Sequence, residues 1–275
     1  MLETQNVPAP EQLNELIQKA LPDCGLFLLR TGKVYSKSST LDLMTKLGTP
    51  LNQSPEGCDI FEVKNEGFDP AHPKFRGPSS NRRLSFHTDR CDIITFHCVR
   101  QAAAGGVNMF AHAECVYNIM KTEAPEELQT LEQPFFYKRH NADPAHPFAT
   151  YTLPVFDSAR ETLFITLMNY LIEKADKDPD LPNLTESQRK ALDKLQEICL
   201  RPEVHLKEKL QPGDFLFLNN VRMLHSRTEF TDNCEARLYY RTWLSVPWSM
   251  ELPKSFANLF GNVKAGSVRG GFKRF

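Results

Sequence analysis

The sequence has 275 residues and a mass of 31.5 kDa, and its 33 Lys+Arg against 34 Asp+Glu leave a net charge of −1. That balance excludes the electrostatic footprint of a general nucleic-acid binder. A hydrophobic share of 41% with 24% charged residues excludes disorder as the main state. No stretch approaches the roughly 18–20 apolar residues that span a bilayer. Met1–Asn6 has neither the basic start nor the apolar run of a signal peptide. The seven cysteines are odd in number and form no C-x-x-C pair, so free thiols in a reducing compartment are expected. The chain reads as cytoplasmic, with no nucleic-acid or membrane partner.

The elements follow in chain order. Leu13, Leu16, Ile17, Ala20 and Leu21 recur at helical spacing after Pro8 and Pro10, which predicts an amphipathic helical segment within 1–24. Leu26–Leu29 reads as a buried strand, Leu41 to Leu47 as a short helix capped by Ser39 or Thr40, and Asp59–Val63 as a strand. Gly67 to Ser80 is rich in Pro, Gly and Ser and predicts a long loop, with 65–82 a candidate lid. Strand-like segments then dominate: Leu84–Asp89, Ile93–Val99, Val107–Phe110, Phe135–Lys138, Thr150–Phe156, Phe215–Leu218 and Arg237–Val246. Helical patterns fall at Ala113–Met120, Glu126–Leu131, part of Leu163–Ala175 and Glu186–Leu200. The strands are spread too evenly for two cores, so one domain over 1–275 is expected, a β core with helices packed around it.

Two segments carry chemistry: Leu84-Ser85-Phe86-His87-Thr88-Asp89 and Asn219 to Thr228. On an extended strand, residues i and i+2 point to one face, so His87 and Asp89 aim an imidazole and a carboxylate at one point. His225 would complete a two-histidine, one-carboxylate facial triad. Three ligands on one face leave the opposite face of a six-coordinate iron(II) open for a chelating cosubstrate and O2. Thr231-Asp232-Asn233 has turn chemistry. A hairpin pivoting near Asn233 would set His225 and Arg241, each eight positions away, opposite one another on paired strands. Arg241 would then bring a planar cationic fork to the metal pocket, with Arg237 on the same face, suited to the carboxylate of a bound oxo-acid.

Through these residues the chain resembles the taurine dioxygenase/TfdA-like branch of the iron(II)- and 2-oxoglutarate-dependent oxygenases. The resemblance runs from Arg76 through Gly271. It rests on the block Asn81–Asn108, with its H-T-D run and Gly105-Gly106, on the block Gly213–Leu244, and on the tail Ala265–Gly271. It implies a double-stranded β-helix, or jelly roll, with Fe(II) held by His87, Asp89 and His225. It also implies that Arg241 grips the distal carboxylate of 2-oxoglutarate, with Arg237 near the cosubstrate or substrate. Asn108 stands where the branch often has Thr or Ser on the same carboxylate. The implied activity consumes O2, cleaves 2-oxoglutarate to succinate and CO2, and hydroxylates a C–H bond. Asp89 is present where halogenating relatives carry Gly or Ala, so hydroxylation is the default reading. The same iron site could instead direct desaturation, cyclisation or epoxidation, and a metal-binding jelly-roll sensing module is the non-enzyme alternative.

Substrate contacts are sparser in the sequence. Arg82, Arg83, Arg90, Tyr137 and Arg139 are candidates to reach the pocket. Several cations at its mouth would favour a small acid or zwitterion such as an amino acid. His97, in an apolar strand, reads as a satisfied core histidine; His112 and His205 lack a partner motif; His72, His140 and His146 read as solvent-exposed. Cys91 and Cys98 read as small buried thiols, and Lys264 to Arg274 as a loosely docked tail.

Overall fold

Two antiparallel sheets face one another in the computed structural model, which describes residues 2–4, 6–54, 56–68, 77–139 and 150–272. The larger runs in the order Leu2–Glu3, Leu26–Arg30, Asp214–Asn219, Ile93–Arg100, Leu238–Ser245 and Thr49–Leu51, with Phe61–Val63 also paired to Leu238–Ser245. The smaller runs His205–Glu208, Asn108–His112, Met223–Arg227, Leu84–His87. Only Leu2–Glu3 pairs in parallel, beside Leu29 and Arg30. This is the mainly β jelly-roll core with flanking helices that the sequence led us to expect.

Side-chain alternation decides what each strand sends into the space between the sheets. Phe215 and Phe217 turn outward with Phe27 and Leu29, and the helices Pro10–Cys24 and Lys37–Leu47 cover them with Leu13, Ile17, Leu21, Met44 and Leu47. Leu216 and Leu218 turn inward, where they meet Phe110 and Met223 of the opposite sheet. On the smaller sheet Phe86, Met109, Ala111 and Leu224 face a second apolar layer, which includes Val116, Leu128, Leu195 and Ile198 of the helices Ala113–Glu123, Pro125–Leu131 and Glu186–Cys199. Since Phe86 and Leu224 point out to that layer, their neighbours His87 and His225 must point in.

The hairpin expected around Asn233 does not form. Met223–Arg227 belongs to the smaller sheet, and Leu238–Ser245 to the larger. The turn chemistry is used, since Asp232 Oδ1 accepts from the Arg237 N–H at 2.8 Å and Asn233 Oδ1 from Glu235 at 3.0 Å. Yet Phe230–Thr231 pairs with Ala104–Gly105, so the chain crosses from one sheet to the other instead of folding back on itself. Smaller differences follow from local chemistry. The expected Thr150–Phe156 strand breaks at Pro154 into Thr150–Leu153 and Phe156–Ala159, which pair with different partners. The second helix starts at Lys37 because Ser36, rather than Ser39 or Thr40, caps it. Residues 69–76 of the expected loop lie outside the described residues, as do His72, His140 and His146.

The tail is not loosely docked. Arg269 is 3% exposed and donates to Asp92 Oδ1 at 2.6 Å, to Met250 O at 2.7 Å and to Val263 O at 3.2 Å. The Ser245 hydroxyl and Val246 N–H donate to the other Asp92 oxygen at 3.0 and 3.2 Å. Burial pushes the Asp92 carboxyl up against the pull of Arg269. Removing one partner of such a buried pair costs about 3–5 kcal/mol, because the other charge is left uncompensated. Arg269→Ala should lower the unfolding free energy by that amount in urea titrations; a loss below about 1 kcal/mol, the scale of an exposed pair, would mean the pair does not hold the tail.

His97 is a core histidine, as expected, stacked on Phe215 with ring centroids 4.0 Å apart. Its Nε2 accepts from the Tyr35 N–H at 3.0 Å, so Nδ1 carries the proton and donates to Asp214 O at 3.2 Å. Burial depresses its pKa from 6.5 to about 4, although both backbone bonds oppose the drop. Below pH 6.5 the unfolded chain therefore takes up a proton that the folded chain refuses. Stability falls by about 3 kcal/mol as pH drops from 6.5 towards 4, and no further below that. Urea unfolding of His97→Gln between pH 7 and 4.5 should show a correspondingly shallower loss than the parent chain; identical slopes would remove His97 from the acid response.

Candidate active site

The inward-facing residues of the two sheets converge on Asp89. His225 pairs in register with His87 across the strands Met223–Arg227 and Leu84–His87, and their rings lie 4.2 Å apart. One ring nitrogen of each and one Asp89 carboxylate oxygen all lie within 4.8 Å of one another, with the His225 Nε2 to Asp89 Oδ2 distance at 3.9 Å. Among the described residues this is the one cluster of three or more His, Cys, Asp or Glu side chains able to share a metal ion.

The surroundings set the charge state of each donor. The His87 Nδ1–H donates to Ser85 O at 2.8 Å, which leaves the Nε2 lone pair for a metal. Burial holds the His87 pKa below its usual value, against the pull of Asp89. His225 is depressed to about 3 by burial and by His87. Both imidazoles are neutral near pH 7, as a metal ligand must be. Burial disfavours the Asp89 charge, yet Arg241, His225, His87 and the Trp243 indole N–H together keep its carboxyl below the ordinary value. Arg241 Nη1 donates to Asp89 Oδ2 at 3.1 Å and Trp243 Nε1 to the same oxygen at 3.0 Å.

Sequence reasoning missed the side chains that orient this centre. Asn220 is fully buried; its Oδ1 accepts from the Asp89 N–H at 2.8 Å, and its Nδ2 donates to the carbonyls of Asp89 and Cys91 at 2.7 and 2.9 Å. Gln53 holds Arg241 on both sides, accepting from its Nε and donating to its carbonyl, each at 2.9 Å. Both side chains are neutral amides, Asn220 within the segment that carries His225 and Gln53 far from either motif, and only their burial distinguishes them. Cys91 and Cys98 are fully buried, and burial pushes both thiols up.

The two arginines of the last long strand occupy different surroundings. Arg241 is committed to Asp89 and Gln53, between the rings of Phe61 and Trp243. Arg237 is 1% exposed, lies 3.7 Å over the Tyr239 ring and 5.2 Å from the Phe230 ring, and its Nε and Nη1 have no hydrogen-bond partner. The Tyr239 hydroxyl accepts in turn from Gln101 Nε2 at 2.7 Å. A Cβ on Gly106 would stand 3.3 Å from Arg237 Nε, and one on Gly105 2.1 Å from Glu229 O. Both glycines have φ near +70°, and the missing side chains let Gly106 lie close to this buried guanidinium and Gly105 close to the Glu229 backbone.

A cavity of about 370 Å³ opens beside the centre, lined by His87, Asp89 and Arg241, with Phe61, Trp243 and Phe272 on one side and Tyr151, Met168 and Leu171 on the other. Of the expected substrate residues, Arg83, Arg90 and Arg139 line it. Tyr137 does not. It is fully buried in the apolar layer, stacked on Tyr151 at 5.4 Å, because alternation on Phe135–Lys138 turns it into the core. Arg82 borders a separate surface hollow beside Gly105. From the segment 65–82, Gly77 and Pro78 reach the cavity wall.

Comparison with known proteins agrees with this geometry. The model of the taurine catabolism dioxygenase TauD, TfdA family matches residues 3–243. FR-33289 synthase of Streptomyces rubellomurinus is 27% identical over 229 residues, 80% of this chain and 67% of that protein. Mitochondrial trimethyllysine dioxygenase of Rattus norvegicus is 28% identical over 169 residues, 57% of this chain but only 40% of its own length. Among solved structures, asparagine oxygenase in complex with Fe(II), 2S,3S-3-hydroxyasparagine and succinate superposes with a TM-score of 0.63 at 21% identity, covering 86% of this chain and 79% of that one. OrfP with Fe, succinate and (3S)-hydroxy-L-Arg reaches 0.62 at 15% identity, covering 86% and 81%. The chain therefore belongs to the TauD/TfdA dioxygenase family.

Proposed function

We propose that this chain is an Fe(II)- and 2-oxoglutarate-dependent dioxygenase that hydroxylates a C–H bond of a small polar molecule, with His87, Asp89 and His225 as the iron ligands. The observation that carries the reading is the convergence of two neutral imidazoles and one carboxylate within 4.8 Å beside a cavity of small-molecule size. That donor set suits iron(II) and leaves positions open for other ligands. When bound, iron and 2-oxoglutarate supply the oxidising chemistry, in which O2 is consumed, 2-oxoglutarate yields succinate and CO2, and C–H becomes C–OH. The protein orients and shields. Asn220 fixes the backbone of Asp89, Arg241 and Trp243 fix its carboxylate, and Phe61, Phe96 and Trp243 keep water from the reacting face. A complete ligand set within a dioxygenase family disfavours a non-catalytic metal module.

The distal carboxylate of 2-oxoglutarate goes to Arg237, with Asn108 beside it, rather than to Arg241. Arg237 has buried N–H groups without acceptors, which a carboxylate would satisfy, whereas Arg241 Nε and Nη1 already donate to Gln53 and Asp89. The substrate is a small acid or zwitterion, a reading supported by Arg83, Arg90 and Arg139 on the cavity wall and by the hydroxylated amino acids held by the solved neighbours. We assign residues 1–275 to one catalytic domain, a reading supported by the pairing of Leu2–Glu3 in the larger sheet and by the Asp92–Arg269 anchor of the tail. We place it in the cytoplasm, in keeping with its free cysteines. No helix among the described residues is long and apolar enough to cross a membrane.

Asp89→Ala and His225→Ala should each abolish both Co(II) binding and iron-dependent succinate formation while circular dichroism is unchanged; succinate formation at the parental rate in either would reject the ligand set. Arg237→Gln should raise the 2-oxoglutarate requirement by about 100-fold, the worth of a buried bidentate charge pair, and Arg241→Gln by no more than a few-fold. The reverse split in KM would return the distal carboxylate to Arg241.

A further inference from the structure

The strand Leu84–His87 lies at the end of the smaller sheet among the described residues, with Met223–Arg227 as its one strand neighbour. That pairing is irregular, for its register shifts between His225 and Arg227. The opposite edge is closed by side chains and a loop. Gln196, on the helix Glu186–Cys199, accepts from the Phe86 N–H through Oε1 at 3.0 Å and donates from Nε2 to the Phe86 carbonyl at 2.8 Å. These are the two bonds that a neighbouring antiparallel strand would make. Asn169 Nδ2 donates to the same carbonyl at 2.9 Å. Two residues on, the Thr88 N–H donates to Leu167 O at 2.8 Å, and the Thr88 hydroxyl accepts from the Leu167 N–H at 2.9 Å. Phe86 and Thr88 flank His87, and Thr88 precedes Asp89.

We infer that Gln196 and Thr88 are positioning residues, which hold His87 and Asp89 at metal-binding distance by closing the open edge of their strand. This goes beyond the proposed function and rests on its metal assignment. Phe86 and Thr88 are 0% and 1% exposed, so a group that loses its partner here is left buried and unsatisfied, and the strand must shift to relieve it. Such a shift carries the His87 ring with it, because the ring is oriented by Ser85 O of the same strand. The contacts also fix a wall of the cavity. Met168, Asn169 and Leu171 line it, and Leu167 and Asn169 bond directly to the ligand strand. Metal ligands and cavity wall therefore keep one spacing.

The test uses the full chain titrated with Co(II), whose absorption bands report the number and arrangement of its ligands. Gln196→Met keeps the length of the side chain and removes both bonds to Phe86, and Thr88→Val keeps the shape and removes the hydroxyl. Each should weaken Co(II) binding about tenfold and change the absorption bands, the lower end of what removing a residue that orients a metal ligand costs. Thr88→Ser should restore parental affinity and spectrum, and Gln196→Glu, which keeps only the acceptor for the Phe86 N–H, should lose part of the affinity. Thr185→Ala removes the cap of the same helix without touching Phe86, so it should lower the urea midpoint and leave Co(II) binding as in the parent. Parental affinity and spectrum in both Gln196→Met and Thr88→Val, or an equal loss in Thr185→Ala, overturns the assignment. Failure of the parent chain to bind Co(II) would instead count against the metal reading. Amide exchange on the metal-free chain then decides the positioning role. The Asp89 N–H, which donates to Asn220, should exchange about tenfold faster in Gln196→Met and Thr88→Val than in the parent, and an unchanged rate overturns the role.

Discussion

The carboxylate of Asp89 is the point on which this structure turns. It sits where the inner faces of the two sheets meet, and it is gripped from both. The larger sheet reaches it through Arg241 and Trp243, and the smaller one through His225 and the strand that carries His87. A carboxylate buried among apolar side chains would ordinarily take up a proton. Here two N–H donors on Oδ2, with Asn220 on the main chain, hold it ionised and in one orientation. A carboxylate able to take a metal ion must be ionised and aimed, and these contacts do both.

The remaining architecture can be understood as support for that meeting point. Apolar layers on the two outer faces fix which residues of each strand point out, and alternation then forces His87, His225, Tyr239 and Arg241 inward. The tail completes the wall. Arg269 is drawn into the core by Asp92, and this lays Gly270 and Gly271 over Arg90 and places the Phe272 ring parallel to Trp243, 6.5 Å away. A buried ion pair that does not itself line the cavity therefore shapes it.

Positive charge is divided among three tasks. Arg241 serves the Asp89 carboxylate, Arg237 lies over the Tyr239 ring with Nε and Nη1 unsatisfied, and Arg90 and Arg139 face the cavity. Arg227 joins Arg237 around Phe230, at 4.7 and 5.2 Å from that ring, with its own guanidinium held by the carbonyls of Ser80 and Arg82. Burial and the neighbouring Arg237 depress the Arg227 pKa to about 9. Two guanidiniums so enclosed raise the local potential around Phe230.

The sequence by itself determined the fold class and the residues that converge on the candidate metal site, because both are written in short-range patterns. H-x-D on a strand sets two donors on one face whatever the rest of the chain does, and apolar alternation sets which face is buried. It also set the Gly-Gly pair and the positions of most helices. Only the tertiary structure decided how distant segments combine. Equal spacing about Asn233 suggested paired strands, but a connection of that length can cross between sheets as readily as turn back, and burial of Phe230 beside Gly105 selected the crossing. The different surroundings of Arg237 and Arg241 were hidden for the same reason, since two arginines four residues apart share a face but not an environment. Tyr137 looked like a pocket residue until the register of its strand turned it into the core. Asn220 and Gln53 act through buried hydrogen bonds to main-chain and side-chain groups far away in sequence, and such bonds leave no local pattern to read.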